Sequence, residues 1–174
     1  MSAQTPVDLF WKPSFNLFYD AYYQELASEA VLERWVLIDG VTSFLGASTA
    51  TGSAVAGWAL WKSDNGKLAW AILAAVASLA SIIRTNFGVL GKIKEQEDLR
   101  RNFQGIRLAI DSFRTDLEIG LITVPDAQKR LKELHASYTE AMAGTKAGPA
   151  FTKALQESVE EKLRAIVKEK GYTS

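Results

Sequence analysis

Side chains able to do covalent or metal chemistry are few in this chain of 174 residues. It has no Cys and a single His, so thiolate chemistry, a disulfide scaffold and the common zinc sites are excluded. His135 stands in Lys132-Glu-Leu-His135-Ala-Ser-Tyr138 beside an apolar seam, where it reads as a surface or packing histidine. Gly88-Val-Leu-Gly91-Lys92 has the glycines and lysine of a phosphate loop, but the spacing is short. Ile93 also stands where Ser or Thr would hold magnesium. Asp111 and Asp116 fall on exposed positions of a helix with nothing to desolvate them. No sequon, paired-His helix or Gly-x-Ser-x-Gly occurs. The sequence predicts no enzyme, no metal site and no cofactor.

The remaining candidates are polar and small residues set in apolar surroundings. Asp39, Ser43, Gly46, Ala50, Ser53 and Gly57 recur at steps of four and three, so on a helix they form one stripe. Ala71, Ala74, Ser78, Ser81, Thr85 and Gly88 form an equivalent stripe further on. Such stripes let membrane helices approach closely, with hydroxyls bonding across the contact. A second use is to line a wet path in an oligomer, with Asp39, Thr42, Thr49, Ser53 and Arg84 as its polar groups.

The elements that position these residues follow from the distribution of charge. The 20 basic and 20 acidic side chains cancel, so no electrostatic pull on nucleic acid is expected. They are also segregated: residues 35–91 hold only Lys62, Lys67, Arg84, Asp39 and Asp64. From Gly40 to Trp61 there are 22 uncharged residues, a helix about 33 Å long against a hydrocarbon core of roughly 30 Å. After Lys62-Ser-Asp-Asn-Gly-Lys67, a second apolar run from Leu68 to Gly91 is interrupted only by Arg84. The short link demands an antiparallel hairpin. Trp35, Trp58, Trp61, Trp70 and Phe87 fall where headgroups would lie. Arg34, Lys92, Lys94, Arg100 and Arg101 flank the hairpin against two lysines in its turn, which places both termini in the cytoplasm. The first 30 residues have no apolar region of the kind a cleavable signal peptide needs. These features predict two spans in a bacterial inner membrane.

Beyond the hairpin, Leu99, Phe103, Ile106, Ile110, Phe113 and Leu117 step four, three, four, three and four, a heptad seam. The second span is expected to continue as a stalk to about Gly120. Val124-Pro125-Asp126 restarts a helix, because Pro suits a first turn and Asp the positive end. Ala127, Leu131, Leu134, Tyr138 and Ala141 give it an apolar face for an antiparallel return. Gly144 to Pro149 is a break, followed by an amphipathic helix carrying Phe151, Leu155, Val159, Leu163 and Ile166. At the other end, Phe10, Trp11, Phe15, Phe18, Tyr19, Tyr22 and Tyr23 crowd into fourteen positions. This segment carries an acidic excess that anionic lipid would repel, so its aromatics are expected to pack against the cytosolic helices.

The resulting expectation is an all-α chain: a two-transmembrane helical hairpin with a cytosolic, coiled-coil-like extension. Its parts are an aromatic segment at 1–34, the hairpin at 35–91, stalk and return helix at 92–143, and linker with a last helix at 144–174. The run from Trp35 to Ile83, with Lys92-Ile-Lys-Glu-Gln-Glu-Asp-Leu-Arg-Arg-Asn-Phe and Leu131-Lys-Glu-Leu-His-Ala-Ser-Tyr, resembles the SLATT family, the SMODS and SLOG-associating two-transmembrane effectors. What the resemblance implies is a bacterial membrane effector in nucleotide-signalled antiphage defence that breaches the inner membrane. Its partners would be the bilayer, copies of itself, and a nucleotide-signalling sensor or second messenger. The family brings no catalytic residues. Three functions follow as expectations: an oligomeric pore opened when the stalk rearranges, a non-conducting membrane scaffold that recruits a soluble partner through residues 125–170, and a phage-type holin.

Overall fold

A computed structural model of the chain describes residues 6–52, 64–86, 88–145 and 151–169. Five helices occupy them: α1 (Pro6–Gly52), α2 (Asp64–Asn86), α3 (Val89–Glu118), α4 (Val124–Ala143) and α5 (Lys153–Glu169). No strand occurs among the described residues. Pro6 begins α1 where its missing N–H costs nothing, and Asp8 lies in the first turn, near the positive end of the helix. With 47 residues, α1 is about 70 Å long.

The helix ends are set by local chemistry. Gly88, at φ +55, separates α2 from α3, so the expected continuous run from the second apolar segment into the stalk is broken there. A side chain at such a φ is strained, and glycine takes it freely. At the other end of α3, Gly120 has φ +70. Its N–H donates to the Leu117 carbonyl at 3.2 Å and the Leu121 N–H to that of Asp116 at 3.0 Å, the paired bonds of a Schellman stop. Thr123 then caps α4, its hydroxyl accepting from the Asp126 N–H at 3.4 Å and donating to the Asp126 carboxylate at 2.5 Å.

The chain divides into two units, one formed by Met1–Val31 with Gln96–Ser174 and the other by Leu32–Glu95. In the first, Leu17, Phe18 and Ala21 of α1 meet Ile110, Phe113 and Leu117 of α3 and Ala127, Leu131 and Leu134 of α4. Phe103 and Tyr138 contact edge to face with centroids 6.0 Å apart, and Arg130 bridges back to Asp116, so α3 and α4 run antiparallel. A second cluster joins Leu26 and Ala27 of α1 to Val159 and Leu163 of α5, flanked by Tyr19, Tyr23 and Phe151. The aromatic segment and both C-terminal pieces therefore belong to one unit, built on two buried clusters. Of the seam on α3, Leu99, Phe103, Ile110, Phe113 and Leu117 are buried and Ile106 packs beside them.

The membrane hairpin is corrected by the structure. Among the described residues no helix is long and apolar enough to cross a membrane. In α1 the last 18 residues, Trp35 to Gly52, include Asp39, five Ser or Thr and three Gly, which dilute the apolar character. In α2 the uncharged stretch between Lys67 and Arg84 is 16 residues, about 24 Å against the roughly 30 Å a span must cover. The two-transmembrane fold is withdrawn. The inner-membrane placement with cytoplasmic termini is withdrawn with it. The all-helical class stands for the described residues.

Candidate association surface

Within the second unit, Thr42, one of the polar groups set beside the stripe of α1, bonds to its own helix. Thr42 donates to the Ile38 carbonyl at 2.8 Å and lies 3.1 Å from that of Asp39. Such back-bonding satisfies the side chain without a partner helix. Asp39 and Ser43 are half-buried and Gly46 is exposed. Thr49 belongs to α1, but its side chain lies outside the described residues, as do Ser53 and Gly57 altogether. On α2, Ser78 is exposed and donates to the Ala74 carbonyl at 2.8 Å. The side chains of Ser81, Arg84 and Thr85 also lie outside the described residues.

Trp35 and Val89 of this unit are buried, but many of its described apolar side chains face outward. Val36, Leu37, Val41 and Phe44 of α1 are exposed, and so are Leu68, Ile72, Val76, Leu79 and Ile82 of α2. With Leu90, these are ten of the fifteen large apolar side chains found exposed among the described residues. On α2, Gly66 is buried and Trp70 and Ala77 are half-buried, which defines its inner side. Leu68, Ile72, Ala75, Leu79 and Ile82 step four, three, four and three along another side, and each is exposed. This is the spacing of the seam on α3, where the same pattern is covered by α1 and α4. The small residues expected to make the stripe of α2 lie beside this seam, whose periodicity is legible in the sequence.

Two arginines of the first unit, Arg114 and Arg107, are held inside the helix contacts. Arg114 is 3% exposed, with its guanidinium 4.1 Å from the Trp11 ring centroid and 5.2 Å from that of Phe15. Cation–π attraction strengthens when water is excluded. One heptad back, Arg107 donates to Glu25 at 2.5 Å and lies 4.7 Å from the Tyr22 centroid. Burial lowers the Arg107 pKa, but the Glu25 hydrogen bond and charge outweigh it, and the net shift is upward. Asp116 is half-buried against Arg130 rather than free on an exposed face, a correction to the sequence reading.

His135 is exposed on α4. Its charge opposes the main effect on Asp20, whose carboxyl burial pushes above the ordinary carboxylate value. Tyr138 is raised by burial and by Asp20, against a hydrogen bond with Gln24. Among the described residues no group of three or more His, Asp or Glu could hold a metal ion. No protein-family model, curated protein or solved structure matches the chain.

Proposed function

We propose that this chain acts by association rather than catalysis, as a helical scaffold that assembles with copies of itself through the second unit. The observation that carries the reading is the outward apolar surface of that unit, from Val36 to Phe44 and from Leu68 to Ile82. Contiguous apolar surface on a folded chain marks an interaction site, because leaving it in water forgoes about 25 cal/mol for each Å². The first unit has its own buried core and serves as the support that carries the associating helices. The membrane scaffold expected from the sequence would recruit a soluble partner through residues 125–170; the association proposed instead uses the second unit and calls on no membrane span.

Sedimentation equilibrium over a hundredfold range of concentration tests this. The expected result is a mass that rises to a fixed multiple of the chain mass. A single-chain mass at every concentration would overturn the proposal.

A further inference from the structure

Helix α2 carries an unfilled coiled-coil seam, and we infer that it is filled by α2 of a second copy. The inference rests on the scaffold reading above and names the contact that reading requires. Leu68 is 64% exposed, Ile72 56%, Leu79 59% and Ile82 52%. Their positions, with Ala75 between them, are those of alternating a and d knobs over two heptads. Seams of this spacing close when a second helix offers the matching set. In α3 the chain supplies the cover itself; for α2 none of its described helices does.

Two features favour a second copy as the occupant. The first is chemical. From Leu68 to Ile83 no residue is charged, so a partner presenting Lys, Arg, Asp or Glu here would bury that charge unpaired, at a cost of several kcal/mol. Another α2 presents none. The second is size. Each large seam side chain at these exposures offers on the order of 100 Å², so two copies with their flanking Ala71, Val76 and Ser78 hide on the order of 1,000 Å², where specific interfaces begin. Ala75 at the centre lets the backbones approach closely, and Leu and Ile close the contact on either side.

The absence of cysteine makes the test direct. Ala75→Cys places one thiol at the middle of the seam, where two parallel copies in register bring like positions together, as a disulfide with its Cβ atoms roughly 3.8 Å apart requires. Ala74→Cys, one position away on an exposed side off the seam, is the control. Both exchanges are small and surface-exposed, and matching far-UV circular dichroism establishes that both variants fold. Under mild oxidation the expected result is a covalent dimer from Ala75→Cys in more than half of the chains, with at least a tenfold smaller yield from Ala74→Cys. Equal yields, or none from Ala75→Cys, in material whose sedimentation shows assembly would overturn the α2 seam while leaving the scaffold reading standing. A single-chain mass without crosslinking would overturn both. Co-sedimentation with vesicles of phosphatidylethanolamine and phosphatidylglycerol, with loss of the Ala75→Cys dimer, would overturn the seam in favour of a lipid surface.

Discussion

Glu25 and Arg107 offer the sharpest check on how α1 is held in the first unit. They are 82 residues apart in sequence and their side chains are 12% and 14% exposed. Removing one member of a buried pair costs about 3–5 kcal/mol, because it strands the other charge, and the residual solvent contact here reduces that to about 2–3 kcal/mol for Glu25→Leu. Arg107→Leu should cost a similar amount, since it strands the carboxylate and also removes the cation above Tyr22. The double variant carries no stranded charge and puts two apolar side chains in contact, so it should return to within about 1 kcal/mol of the parent. Urea unfolding of the four proteins, followed by far-UV circular dichroism at one fixed chain concentration, closes the cycle. The expected coupling energy is about 2 kcal/mol or more. Strictly additive single losses would show that the pair does not hold α1 against α3.

Two other predictions concern single groups. Asp20 has a folded pKa above its ordinary value, so the folded state binds the proton more tightly than the unfolded one. Its carboxylate therefore opposes folding at neutral pH, and that opposition fades as pH falls through the raised value towards 3.8. Asp20→Asn should raise the urea midpoint at pH 7 slightly and leave it unchanged near pH 3, and equal gains at both would contradict the assignment. Gly120→Ala meets open space but keeps a positive φ, so it should cost about 1 kcal/mol. Gly120→Asn should recover much of that in thermal melts.

How much of the structure can be read from the sequence depends on what a periodic pattern specifies. The steps from Leu99 to Leu117 say which side chains share a face, and that face is buried in the first unit. The restart at Val124-Pro125-Asp126 is legible because a cap is chemistry between neighbours in the chain. Spacing does not say what covers a face. The seam from Leu68 to Ile82 has the same steps as that of α3 and lies open. Long uncharged runs mislead for a related reason. A count of missing charges ignores Gly88, whose positive φ stands between α2 and α3, and the hydroxyls and glycines that dilute α1. The contacts of Arg107 and Arg114 are illegible because each joins residues brought together only by the fold.

The two ends of the chain build the first unit, with Leu32–Glu95 intervening between Val31 and Gln96. Folding that unit means closing a loop of 64 residues, an entropic penalty of about 4 kcal/mol by the logarithmic law for flexible chains. Any event that confines the intervening segment beforehand removes part of this penalty. On the proposed pairing of α2 with a second copy, assembly and the folding of the terminal bundle are thermodynamically linked. Dilution should loosen the first unit as it disperses the second.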